Sequence, residues 1–214
     1  GYVTASQDTT FGGNVFANGD FGAYHEHFNH VPPQVAPALC WTTWSPRIEC
    51  AGSKRVYEHL LEYMASFIEQ YGRAGLPTFS YTHMLLTHGN IALAKVLDAS
   101  MPRLLQRMLD AAHGSDRGLL LVLMGDHGPA EPFLRKLPLM SFVVSRALVL
   151  DRPDGTEALR ALRTNQARLT SHFDVRKTVF DLVGMADPLE PARSSPGRSL
   201  LRALPSNRTC ADAA

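Results

Sequence analysis

The stretch Arg117–Gly128, "RGLLLVLMGDHG", decides how the rest of the chain is read. Its apolar run from Leu119 to Met124 shows no alternation, the pattern of a strand buried on both faces of a sheet. The run stops at Gly125, and Asp126, His127 and Gly128 follow. Strand propensity does not place a carboxylate and an imidazole there. The carboxyl ends of strands in α/β sheets are, however, where ligands bind.

Upstream, "LPTFSYTHMLLTHGN" reads as a second strand that leaves His88, Gly89 and Asn90 at its carboxyl end. Between the two strands, Ile91 to Ala112 has a helical pattern, restarted at a first turn by Pro102. Further upstream, Ser53 is placed to cap a helix whose apolar positions are Val56, Leu60, Met64, Phe67 and Ile68, with Gly72 as its stop. Downstream, "LPLMSFVVSRALVL" reads as a strand and Thr156 to Leu162 as a short helix. Asp174 to Val183 reads as another helix, with Val175, Val179, Leu182 and Val183 on one face and Gly184 as its stop. "GYVTAS" opens the chain as a short strand, and the residues from there to Gly52 are irregular, with many glycines and prolines. Strand and helix alternating in this way imply an α/β fold with a mostly parallel central sheet flanked by helices. One domain over residues 1–214 is expected, with an irregular loop-rich region (1–52), an α/β core (53–186) and a C-terminal extension (187–214).

The 214 residues carry 21 basic and 20 acidic side chains, a net charge of +1, and 45% are hydrophobic. That is enough for one sizeable core. No block of Lys and Arg points to nucleic acid or to an anionic membrane. The longest apolar run is far too short to span a bilayer, so no transmembrane segment is expected in this chain. "GYVTASQD" lacks the regions of a signal peptide, and both ends are expected to be cut from a longer chain. The cysteines Cys40, Cys50 and Cys210 are too few for a disulfide scaffold and lack zinc-finger spacing. Cys40 and Cys50 could pair across nine intervening residues, leaving Cys210 with a mate expected outside the chain. "NRT" at Asn207 is a glycosylation sequon, meaningful where the chain enters a secretory compartment.

Asp126 and His127 offer a hard carboxylate oxygen beside an imidazole nitrogen, donors that suit a divalent metal such as zinc; the carboxylate alone suits calcium or magnesium. His88, at the end of the neighbouring strand, could reach the same place. Against this stands a plainer reading, in which Asp126 is a turn carboxylate and His127 a surface residue. "YHEHFNH" brings His25, Glu26, His27 and His30 together without the spacing of a helical zinc motif, and a solvated loop is the expectation there. His83 reads as a core or edge residue, and His172 as a capping or packing residue just before a helix. No nucleophile elbow, phosphate-binding loop or dinucleotide fingerprint occurs.

In order, "GYVTASQD", "CAGSKRVYEHLLEYMASFIEQY", "THGN", "LLLVLMGDHG", "LPLMSFVV", "RTNQARLTSHFDVRKTVFDLVG" and "GRSLLRALPSNRTCADA" resemble the later part of the DUF229 family. These are sulfatase-like proteins of the alkaline phosphatase superfamily. The resemblance implies that superfamily's fold, incomplete here at the N-terminus, and a bimetal site at the carboxyl ends of the strands. It implies metal-ligand roles for Asp126 and His127, and for His88 by its place in the "TH" turn. A carboxylate often stands four residues before that histidine in the superfamily, where this chain has Met84. The eight residues "PAEPFLRK" after Gly128 are also shorter than the turn usual in relatives.

The implied chemistry is metal-dependent hydrolysis or transfer of a sulfate or phosphate ester, the metal being zinc or calcium and the substrate unidentified. The nucleophile is expected upstream of Gly1, so the chain alone is expected to be inactive. The alternative is a non-catalytic extracellular binding or structural domain that keeps the fold. With the sequon and the possible Cys40–Cys50 bridge, the expected location is extracellular or luminal in the secretory pathway, including as a membrane protein's ectodomain.

Overall fold

A computed structural model describes residues 1–8, 50–51, 53–84, 86–87, 91–113, 118–129, 131–185 and 197–213. It is a mixed helix and strand structure that divides into two compact units. The first comprises residues 1–117 and 122–141, and the second residues 118–121 and 142–214.

In the first unit, β1 (Val3–Asp8) and β4 (Thr78–His83) pair in parallel, with Val3 opposite Thr78 and Asp8 opposite His83. Parallel neighbours need a crossover. It includes a short antiparallel ladder of β2 (Cys50–Ala51) with β3 (Lys54–Arg55), then α1 (Val56–Arg73). Ser53 was expected to cap α1, but the β2–β3 ladder takes up the chain through Arg55 and the helix starts after it. The Glu58 carboxylate closes its first turn by accepting the Arg55 N–H at 2.9 Å. Nor does α1 stop at Gly72. It runs one residue further, and Gly75 takes the left-handed turn while the Leu76 N–H returns to the Tyr71 carbonyl.

Of the expected apolar positions of α1, Leu60, Met64 and Phe67 are interior, joined by Tyr57, Leu61 and Ala65, while Val56 and Ile68 are half-buried. This face meets α3 (Met101–His113), whose Leu104 and Met108 have no exposure. Truncating either to alanine is expected to cost about 2–5 kcal/mol. Pro102 occupies the first turn of α3, where its missing N–H leaves no helical bond unmade. Residues Ile91–Leu93 form a 3-10 turn leading into the single turn of α2 (Ala94–Leu97). The α1–α3 seam is fastened outside the core by Arg107, which donates to both carboxylate oxygens of Glu69 at 2.9 and 2.7 Å.

The decisive apolar run does form a strand, β5 (Leu120–Met124). Its partner is β6 (Met140–Val144), and the bonds that flank the pair fix its sense. The Gly125 N–H donates to the Leu139 carbonyl, and the Ser145 N–H to that of Leu119. Such a register is antiparallel. Among the described residues the strands therefore pair two by two, one pair parallel and two antiparallel.

In the second unit, "SRALVL" was expected to continue the strand and is instead α4 (Arg146–Leu150). Ser145 causes the switch: its hydroxyl oxygen accepts the Leu148 N–H in N-cap geometry. α5 (Gly155–Asn165) is longer than expected, and α6 (His172–Val183) closes on Gly184 as its sequence indicates. Val149, Ala158 and Leu201 form the apolar centre, with Val144, Leu159, Leu162 and Leu182 against it.

A buried polar clasp holds the C-terminal extension in this unit. Asp174 of α6 is fully buried and the Arg208 side chain is 1% exposed. The guanidinium donates to both carboxylate oxygens, at 2.7 and 2.9 Å. The same carboxylate accepts the Ser171 N–H and hydroxyl and the Arg198 N–H. Desolvating two charges costs several kcal/mol each, which only a nearly saturated hydrogen-bond set can offset. The Thr178 hydroxyl accepts the Leu200 N–H and donates to the Asp174 carbonyl. The Asn165 amide donates to the Leu200 and Arg202 carbonyls, and its oxygen accepts the Leu204 N–H. Gly197 lies so close to α6 that a Cβ would meet the Phe173 carbonyl at 2.5 Å. With φ at 98°, it turns the chain so that Arg198 can reach Asp174.

Candidate metal site

Asp126 and His127 leave β5 in an open turn of the first unit, with side chains 78% and 44% exposed. Neither is locked into the core, so both are free to take a ligand. The turn itself is constrained. The Gly128 N–H donates to the Arg135 carbonyl at 3.0 Å, in the 3-10 turn Leu134–Lys136. A Cβ on Gly128 would stand 1.9 Å from the Leu134 carbonyl oxygen. Glycine is required here by that close backbone approach. Leu134 and Arg135 of the connection thus come back against Gly128.

The imidazole orientation follows from one contact. His127 Nδ1 lies 2.7 Å from the Gly128 carbonyl oxygen. A carbonyl only accepts, so Nδ1 carries the proton, and in the neutral ring Nε2 holds the lone pair. Nε2 lies 3.6 Å from the Asp126 Oδ2. Two donors bound at about 2.1 Å to one tetrahedral metal stand about 3.4 Å apart. The pair fits a divalent metal in donor type, in spacing and in tautomer, with the Gly128 carbonyl as the outer partner such histidines usually have.

Among the described residues no group of three or more His, Cys, Asp or Glu gathers in metal-binding geometry. Asp126 and His127 are two potential donors without a third beside them among those residues. His88 lies outside the described residues, as do His25, Glu26, His27, His30 and Cys40, and the Cys50 side chain. Met84 packs against the α1–α3 core beside Leu86, so its position is apolar by placement. His83 is half-buried in β4, and His172 is the first residue of α6 rather than a residue preceding it. Asn207 is exposed, and Cys210 is an exposed free thiol.

The residues that sequence reasoning passed over are Asp174, Thr178, Asn165 and Arg208. Each has a partner 22 to 39 residues away, which no local pattern announces, although the Ser171–Asp174 capping box is local. For Asn165, Asp174 and Thr178 the signal was present in another form, as polar residues inside helices that otherwise show an apolar face.

A family model described as "Protein of unknown function (DUF229)" matches residues 34–214. The chain belongs to the DUF229 family. Comparison with curated proteins finds no match, and comparison with solved structures finds none.

Proposed function

We propose that this chain supplies part of the metal site of a sulfatase-like ester hydrolase or transferase, acting on a sulfate or phosphate ester. The observation that carries the reading is the Asp126–His127 pair, with Nε2 and Oδ2 separated by 3.6 Å in an open turn at the end of β5. Family membership supports it, as does the parallel β1–β4 pair crossed by α1, which fits a larger, mostly parallel sheet of the alkaline phosphatase type. Asp126 and His127 would hold a zinc or calcium ion, which would supply polarisation of the ester oxygens and a lowered pKa for the attacking group. Asp126 contributes the anionic oxygen, and His127 the nitrogen fixed by its bond to Gly128. Gly128 keeps the imidazole from swinging away, and His88 is proposed as a further ligand on the sequence resemblance alone. No nucleophile is assigned.

The compartment proposed is extracellular or luminal, with a Cys40–Cys50 bridge and a glycan at Asn207. No helix among the described residues is long and apolar enough to cross a membrane. A second reading, a non-catalytic binding or structural ectodomain, is favoured by Met84. That side chain sits in the apolar core where the sulfatase-like pattern has a carboxylate.

Metal uptake by the native full-length protein tests the site. Equilibrium dialysis against zinc and against calcium is expected to show stoichiometric binding that Asp126→Ala with His127→Ala abolishes. Unchanged metal content in the double variant would remove the proposal. Turnover of aryl sulfate and aryl phosphate esters separates the two readings: metal bound without turnover favours the non-catalytic one.

A further inference from the structure

Two of the three sequon residues at 207–209 already have structural work. Arg208 is buried in the bidentate pair with Asp174, and it also donates to the Leu169 and Asp212 carbonyls. Thr209 caps the single turn of α7 (Cys210–Ala213): the Asp212 carboxylate accepts both its N–H, at 2.8 Å, and its hydroxyl, at 2.7 Å. Asn207 and Thr209 face solvent, and Arg208 between them is buried. A glycosyl-transferring enzyme must engage the asparagine amide and the hydroxyl two residues on, with the intervening residue laid across its surface. In the folded chain that intervening side chain is inside the protein, so the three residues cannot be laid out together across another surface. An exposed asparagine is therefore not an accessible sequon.

We propose that Asn207 is a glycan acceptor only until Arg208 docks on Asp174, so that closure of the clasp ends the period in which the sugar can be added. The proposal rests on the secretory placement argued above. The donor is an oligosaccharide carried on a lipid pyrophosphate. The Asn207 amide nitrogen attacks the anomeric carbon, whose bond to the pyrophosphate oxygen breaks as the new C–N bond forms. The amide proton goes to an enzyme base, and the lipid pyrophosphate leaves with its electron pair. Once attached, the glycan projects from the exposed Asn207 and is compatible with the closed clasp. The order of events is what the structure restricts: sugar first, then Arg208.

The test compares three acceptors under a purified oligosaccharyl transferase with its lipid-linked donor. They are a peptide of residues 197–214, the full chain made without glycan in bacteria, and the same chain with Asp174→Asn. Asp174 lies outside the sequon, so its replacement leaves the three acceptor residues intact. The peptide is expected to be a good acceptor. The folded chain should be about a hundredfold slower, because only its open fraction reacts. The Asp174→Asn chain should approach the peptide's rate, whether through local opening or wider unfolding. Equal rates for peptide and folded chain would overturn the ordering, and a peptide that accepts no sugar would overturn the site. A separate measurement addresses the compartment: native full-length protein is treated with N-glycosidase in heavy-oxygen water, and the Asn207 peptide is weighed. An untagged peptide there, with the rate difference retained in vitro, would overturn the secretory placement and with it the site in the cell. The rate difference itself would stand.

Discussion

At Asp174 a carboxylate without solvent exposure meets a guanidinium almost equally buried, and five hydrogen bonds converge on its two oxygens. The hydrogen bonds that Arg208 donates to Asp174 hold its pKa above the ordinary guanidinium value. A raised folded pKa gives stability that is complete below the unfolded value and is lost only as pH rises through the folded one. The arginine side of the clasp is therefore insensitive to pH across the neutral range. Removing the charge is another matter. Asp174→Asn leaves the buried guanidinium without its anion, and a loss of about 3–5 kcal/mol is expected in urea unfolding of the chain. Replacing both partners with apolar residues of similar volume should cost much less than the two single changes added together. A double variant as unstable as that sum would contradict this account of the ion pair. Gly128 shows a different constraint, from backbone contact. Gly128→Ala places its methyl group against the Leu134 carbonyl, and relief of that clash must open the turn. The expected result is weaker metal binding with the helical content retained, read by dialysis beside circular dichroism.

The helix pair α1–α3 carries its own pH signature. Glu69 has its pKa held below the ordinary 4.5 by the Arg107 hydrogen bonds, against an opposing push from burial. Glu62 is held down in the same sense by hydrogen bonds from Lys54 and Arg103. A depressed folded pKa gives stability that is full above the unfolded value and lost as pH falls through the folded one. The seam should thus weaken below about pH 4.5, by about 1 kcal/mol for the partly exposed Glu69–Arg107 pair. Glu69→Gln should flatten the acid limb of the stability profile and leave the neutral limb lowered. An unaltered acid slope would show that other groups govern it. At this scale much was readable in advance. The 3.6-residue period located α1, α3 and α6, and the unbroken apolar run located β5. The period failed at α4, because "LPLMSFVVSRALVL" is apolar on every side and a single serine cap inside it divides strand from helix. Asp126 and His127 were legible as a pair because they are adjacent in sequence. The clasp was not, since Asp174 and Arg208 meet across 34 residues and their charge alone argued for the surface.

For the molecule as a whole, each compact unit has its own apolar centre. The second depends on a segment without regular structure until α7. Leu200, Leu201 and Leu204 are buried there, and with them the partners of Asn165, Thr178 and Asp174. Ending the chain before Gly197 would take away these apolar side chains and strand three buried polar groups on α5 and α6. Each stranded group costs about 1–3 kcal/mol, more for the charged one. The sum approaches the whole stability of an ordinary domain, about 5–15 kcal/mol. Among the described residues, the apolar centre of the first unit is built from residues 57–108. Amide hydrogen exchange on the truncated chain should then find α5 and α6 unprotected while α1 and α3 stay slow. Protection kept in α5 and α6 would mean that the extension is fastened to a unit already stable without it. Loss in all four helices would mean that the first unit also needs the clasp, through a dependence its own core does not reveal.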